Sequence, residues 1–228
     1  MPASALISKT SDAARSRRHE IRERLQTIIL SGDQKPGSKL PQHGLAARFG
    51  VAQGVVREAL LELQAHGLVE TVDNRGIFVT GLSAAKILES FDVREMHEAL
   101  AIRLCCERAT RGELRPLQTM ALEIYTLGTA EEFDEMARLD REFHSRLLHL
   151  SRHSMLIRLA ENYRVFGKII RGNRDPQVVR DEHLAIVEAI AKGAADEAER
   201  LIRAHVAAAR FVVQKKLESG TSGLQWVK

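Results

Sequence analysis

The sequence predicts a mainly α protein: a small N-terminal unit of three helices and a two-stranded hairpin, then a C-terminal all-helical bundle of about six helices. Three observations predict it. Apolar residues recur at helical spacing through most of the chain. The clear exception is a pair of β-branched runs, Leu68 to Val72 and Ile77 to Thr80, flanking Asp73-Asn74-Arg75-Gly76, which is a hairpin signal. Glycines and an Asp-Pro pair then cut the remainder into helix-sized pieces. With 228 residues and 44% hydrophobic content, there is ample material for one large or two modest cores.

Residues 1–13 are rich in Ser, Ala and Thr without periodicity and are expected to form a disordered tail. A first helix from about Ala14 carries Ile21, Leu25, Ile28 and Ile29 inward and stops at Gly32. Beyond the turn Lys35-Pro36-Gly37, Gln42 to Phe49 reads as a short helix broken by Gly50-Val51. A third runs from about Ala52 to Ala65, with Val55, Ala59, Leu60 and Leu63 inward, and ends at His66-Gly67. Two short helices joined by a glycine-containing turn make a helix-turn-helix, and the hairpin adds a wing, so residues 14–80 read as a winged helix-turn-helix. In such units the third helix can enter the major groove while the wing reaches the backbone or minor groove.

Residues 81–83 form a linker, and residues 84–217 read as helices over 84–111, 113–127, 130–150, 155–171, 177–192 and 195–217. Gly112, Gly128, Asp175-Pro176 and Gly193 supply the breaks, and Thr129 with Glu132 reads as a capping box. Residues 218–228 are expected to be a C-terminal tail in which Trp226 could dock.

Composition excludes several classes. Cys105 and Cys106 are adjacent, which rules out a disulfide framework and a CxxC thiolate site. No run approaches the roughly 18 apolar residues of a membrane span, and no signal-peptide core opens the chain, so no membrane partner and a cytoplasmic location are expected. The net charge of +4 is uneven: residues 1–80 carry 11 Lys/Arg against 8 Asp/Glu. Arg15, Arg17, Arg18, Arg22 and Arg24 form a basic cluster that suits either phosphates or a solvated helix face.

Four polar residues interrupt apolar stripes of the bundle. Asp140 and His144 follow Phe133 and Ala137 and precede Leu147; His183 lies between Val179 and Ile186; His205 lies between Ile202 and Ala209. Any one histidine in such a place reads as a hydrogen-bonded core residue. Four inward donors together are costly to bury unless paired or bound to an ion. Asp140 and His144, at i,i+4, project from one helix face close enough to share an ion. Imidazole plus carboxylate suits a divalent metal, zinc first, with nickel, manganese or iron as alternatives. His19, His43, His66, His97, His149 and His153 fall outside this pattern and read as ordinary solvated or interface residues. On the helix from 84, the stripe Ile87, Phe91, Ala101, Cys105 continues through Arg94 and Glu98, an i,i+4 ion pair set into a core face.

Pro36-Gly37, Leu40-Pro41, Leu45-Ala46, Phe49-Gly50-Val51, Val56-Arg57-Glu58-Ala59-Leu60, Leu63, Gly67-Leu68-Val69 and Gly76 occur in an order that resembles the DNA-binding domain of GntR-family transcription regulators. The remaining chain resembles the metal-binding FCD effector domain of the FadR subfamily, in its shorter, VanR-like branch. That resemblance implies Asp140, His144, His183 and His205 as metal ligands, and Arg94 with Glu98 in an effector cavity where a guanidinium grips a small organic acid. It also implies a homodimer on double-stranded operator DNA and repression relieved by ligand.

The chain departs from the family where the recognition helix opens: Ala52-Gln53-Gly54 stands where Ser-Arg-Thr is frequent, and Gln42-His43-Gly44 lacks the charged side chains common there. Arg57 is then the principal DNA contact expected, with Gln53 reading a base edge and Arg75 reaching from the wing. A metal sensor, in which the ion is the signal, remains an alternative. A metalloenzyme is the remoter one, since HExxH and an evident general base are both missing from the sequence.

Overall fold

The computed structural model describes residues 3–81, 83–164 and 174–220, and the chain divides after Ser83 into two compact units. The first holds α1 (Ala3–Leu30), α2 (Gln42–Phe49), α3 (Gln53–Ala65), β1 (Val69–Val72) and β2 (Gly76–Val79). Helix α1 starts at Ala3 rather than near Ala14, so helical backbone occupies most of the expected tail. No glycine or proline lies between Ala3 and Ser31 to break it, and helix propensity there needs no apolar stripe. Ile21, Leu25 and Ile29 of α1 are buried with Val56, Ala59, Leu60 and Leu63 of α3, on which α1 packs.

Charge reinforces this packing. Arg18 reaches Glu58 at 3.1 Å and Glu62 at 2.8 Å, and Arg22 lies 3.5 Å from Glu62. Part of the N-terminal basic cluster thus fastens two helices together instead of facing phosphates. The wing is a tight antiparallel pair, Val69 opposite Val79 and Val72 opposite Gly76. The connection from α1 joins it, with the Leu40 amide donating to the Ile77 carbonyl at 2.8 Å and the Val79 amide to Ser38 at 2.9 Å. Gly50, at φ 63°, closes α2 in the left-handed conformation that a side chain would disfavour.

The second unit holds six helices among its described residues: α4 (Ala84–Arg108), α5 (Arg111–Thr129), α6 (Phe133–Leu150), α7 (Ser154–Arg164), α8 (Pro176–Ala191) and α9 (Ala195–Glu218). The stretch expected to continue α7 to residue 171, and Trp226, lie outside the described residues. Helix α4 packs on α6, α7, α8 and α9, while α5 packs on α6 and α8. Cys105 is buried and donates through Sγ to the Leu147 carbonyl at 3.1 Å, the structural role its place in the stripe implied.

Two local readings change. Thr129 and Glu132 form no capping box: Thr129 ends α5, its hydroxyl donating back to Tyr125 and Thr126 carbonyls, and Glu132 precedes α6 without a side-chain cap. The box belongs to Thr110 and Glu113, where the threonine hydroxyl accepts from the Glu113 amide and the glutamate accepts from the Thr110 amide at 2.9 Å. Gly112 therefore sits in the first turn of α5, not at a break. Gly128 is likewise inside α5, where a Cβ would lie 2.6 Å from Pro176 and 3.0 Å from the Met136 sulfur. It is a close-approach glycine between α5 and α8. Gly128→Ala is expected to cost about 1–3 kcal/mol by overpacking, read as a lowered urea midpoint; an unchanged midpoint would show that the helices part freely.

Candidate metal centre

Three helices of the second unit bring the donors together. Helix α6 buries Leu139, Phe143 and Leu147, and the same face carries Asp140 and His144. Helix α8 starts cleanly, with the Asp175 carboxylate accepting from the Gln177 amide at 2.8 Å and Pro176 in the first turn. Its buried stripe Val179, Ile186 and Ile190 includes His183. Helix α9 contributes His205 between Ile202 and Val206. All three imidazoles are buried, and Asp140 is half-buried.

One ligand atom from each of Asp140, His144, His183 and His205 lies within 4.8 Å of all the others. The Nε2 atoms of His144 and His205 are 3.1 Å apart. Asp140 Oδ1 lies 3.5 Å from His183 Nε2 and 3.9 Å from His144 Nε2. Atoms bound to one ion at about 2.1 Å and separated by tetrahedral or octahedral angles sit roughly 3.0–3.4 Å apart. The 3.1 and 3.5 Å separations fall in or close to that range, and the 3.9 Å one is somewhat wider. Among the described residues neither ring nitrogen of His183 has a hydrogen-bond partner, and its ring instead stacks on Phe143, centroids 4.1 Å apart. Orphaned buried nitrogens of that kind need an explanation, and a cation between the donors satisfies Nε2.

Electrostatics suit the same role. Burial pushes the His183 imidazole well below its ordinary pKa, and positive charge on His205 or His144 would push it further. Burial also lowers His205, although Glu182 opposes it. Neutral imidazoles beside ionised carboxylates are the protonation states a divalent ion requires.

Behind the donors stand two further carboxylates. Glu98 of α4, expected in an effector cavity, places Oε2 2.8 Å from His144 Nδ1 and receives Arg94 Nε on Oε1 at 2.6 Å. Its Oε1 thereby accepts a hydrogen bond from Arg94, while Oε2 lies at ion-pair distance from His144 Nδ1 without hydrogen-bond geometry. Burial works against its charge, yet Arg94 and His144 hold its carboxyl far below the usual range. Glu182 accepts from His205 Nδ1 at 2.7 Å and from Arg174 Nη2 at 2.5 Å. Burial again opposes ionisation, and these two partners hold Glu182 down to about 2. Arg174 and the part played by Glu182 escaped the sequence reading. The only signal was the adjacency of Glu182 to His183, which at helical spacing points away from His183's stripe.

The residues expected at DNA lie in the first unit. Gln53 opens α3, and Arg57 follows one turn later on the same exposed side. Glu58 and Glu62, the acidic neighbours that might have neutralised Arg57, are engaged by Arg18 and Arg22. Arg75 is exposed at the hairpin turn, its guanidinium 5.5 Å from the Phe78 ring centroid.

A winged helix-turn-helix unit followed by a helical unit with a buried histidine and carboxylate cluster defines a class of two-unit DNA-binding regulators. The chain belongs to the GntR family of bacterial regulatory proteins, whose description matches residues 17–79, and carries an FCD domain over residues 89–208. It is a transcription regulator. The Nta operon transcriptional regulator of Aminobacter aminovorans is 32% identical over 183 residues, spanning 78% of this chain and 86% of that one. LutR, an HTH-type transcriptional regulator of Bacillus subtilis (strain 168), is 30% identical over 205 residues, spanning 78% and 93%. Among solved structures, E. coli McbR/YncC matches with a TM-score of 0.64 at 20% identity over 90% of this chain and 98% of that chain, a likeness of fold. Because families and relatives alike are regulators, the metalloenzyme reading is set aside. Among the described residues no helix is long and apolar enough to cross a membrane.

Proposed function

We propose that this chain is a cytoplasmic, ligand-responsive repressor whose operator binding is modulated by a small organic acid held at a divalent metal in the helical unit. The observation that carries the reading is the convergence of Asp140, His144, His183 and His205 within 4.8 Å. Zinc fits best, since three imidazoles and a carboxylate suit a borderline-soft ion. Charge supports an anionic ligand. Around the cluster stand three carboxylates (Asp140, Glu98, Glu182) and two guanidiniums (Arg94, Arg174), so neutral imidazoles leave a net −1 that a divalent ion turns to +1. Among the described residues Arg94 hydrogen-bonds through Nε, to Glu98, which leaves its two terminal nitrogens for a carboxylate. Glu98 then serves the metal side of the site and Arg94 the acid.

Operator contacts come from Gln53 and Arg57 of α3 and Arg75 of the wing. The functional unit is a homodimer, which sets two winged units on a pseudo-palindrome. Val93, Met96 and Leu100 line one exposed side of α4 at helical spacing, and an apolar row of this kind favours a second copy as its cover. Ligand changes DNA affinity by as much as its own affinity differs between the DNA-competent and incompetent states.

Operator binding titrated first with zinc alone and then with zinc plus candidate carboxylic acids tests the scheme. Release is expected only with the acid, and Arg94→Ala, assayed at a zinc concentration that keeps the site loaded, is expected to lose that response. Release by zinc alone would establish the rival metal-sensor reading; an Arg94→Ala protein responding like wild type would remove the guanidinium from the acid site.

A further inference from the structure

The two carboxylates behind the donor cluster share a pattern. Arg94 Nε to Glu98 Oε1 (2.6 Å) and Glu98 Oε2 to His144 Nδ1 (2.8 Å) form one chain of contacts; Arg174 to Glu182 (2.5 Å) and Glu182 to His205 Nδ1 (2.7 Å) form another. Each runs guanidinium, carboxylate, imidazole, and each ends with Nε2 facing the cluster. His144 Nε2 and His205 Nε2 are the closest donor pair, 3.1 Å apart. His183 is held differently, by its stack on Phe143; among the described residues neither of its nitrogens has a hydrogen-bond partner, and Asp140 of the cluster lies 3.5 Å from Nε2.

We propose that Glu98 and Glu182 are positioning residues for the ion, anchored in turn by Arg94 and Arg174. This rests on the metal reading above. A carboxylate at Nδ1 keeps the proton on that nitrogen, so the Nε2 lone pair stays free for the ion. It also fixes the ring plane and makes the imidazole a stronger donor. The arginines hold the carboxylates in place. Glu98 is buried, whereas Glu182 is half-buried within α8, so Glu182 can be altered with less disturbance to packing.

Cobalt(II) is the probe, because its visible ligand-field bands report coordination directly and its affinity is measurable by competition with a chelator. Glu182→Gln is expected to bind cobalt about 10- to 100-fold more weakly than wild type and to shift the ligand-field bands, while the chelated protein melts as wild type does. Glu98→Gln is expected to show the same loss. Arg174→Met, which leaves the Glu182 carboxylate in place, is expected to lose less than Glu182→Gln. If both glutamine variants bind cobalt within twofold of wild type with unchanged bands, the positioning role is overturned and the ion site stands. A wild-type protein that takes up no cobalt would overturn the ion site itself, an outcome readily told apart from the first.

Discussion

His183→Leu is expected to bind zinc roughly two orders of magnitude more weakly than the wild-type protein. A four-ligand zinc site is worth about 10–16 kcal/mol, so one ligand carries roughly 3 kcal/mol, and each 1.4 kcal/mol is tenfold in affinity. Leucine keeps most of the volume on Phe143 and removes both nitrogens. No carboxylate is orphaned by the change, because among the described residues none contacts a His183 nitrogen as a hydrogen-bond partner. With zinc at a thousand times the wild-type dissociation constant, bound ion stabilises the folded state by about 4 kcal/mol. A hundredfold weaker variant at the same concentration gains only about 1.4 kcal/mol. Thermal melts with and without zinc read this directly: a large zinc-induced rise for wild type, a small one for the variant. Equal rises would mean that His183 is a buried residue of the core and not a ligand.

The second large effect is at DNA. Arg57→Ala is expected to weaken operator binding by about 1–3 kcal/mol if the guanidinium reads a base, or uniformly across sequences, with a shallower salt dependence, if it meets a phosphate. The surrounding ion pairs make this a clean test. Glu58 and Glu62 are already engaged by Arg18 and Arg22, so removing Arg57 breaks no ion pair among the described residues and should leave the melting temperature unchanged. Fluorescence anisotropy on an operator duplex at fixed salt, repeated at two salt concentrations, separates the cases. Unaltered affinity in both would remove Arg57 from the interface.

The departures at Ala52, Gln53 and Gly54 bear on which operator is read. Gln53 sits exposed in the first turn of α3 without charge, and glutamine's amide matches adenine edges where arginine would favour guanine. Nothing within 4 Å would meet a Cβ at Gly54, so the small residue leaves room at the helix surface rather than relieving a clash. Internal packing therefore does not require glycine at position 54.

How far the site could be read from residues alone depended on the kind of signal. Inward polarity on a helical stripe is periodic, and Asp140, His144, His183 and His205 stood out because each broke a run of apolar neighbours. Periodicity reports the face on which a side chain lies. It does not report what stands opposite, so Glu182 and Arg174 stayed hidden: one projects off the stripe of α8, the other precedes the helix. Glu98 was seen as inward but paired with an effector, because nothing in its own helix discloses that His144 faces it from α6. Turn chemistry was ambiguous for a similar reason. Thr-x-x-Glu occurs at Thr110 and at Thr129, and only the structure shows that the first opens α5 while the second falls at its end.

Local pattern and composition were enough for a helix-turn-helix with a wing, a helical unit after Ser83, and four inward donors. These follow from hydrophobic spacing and backbone preference, which act over a few residues and leave their mark in order along the chain. That four nitrogens and oxygens from three separate helices meet within 4.8 Å, and that two arginine-anchored glutamates stand behind them, came from how α4, α6, α8 and α9 pack. Such contacts join residues far apart in the chain, and their distances are set by helix rotation and approach, quantities that no stretch of sequence carries alone.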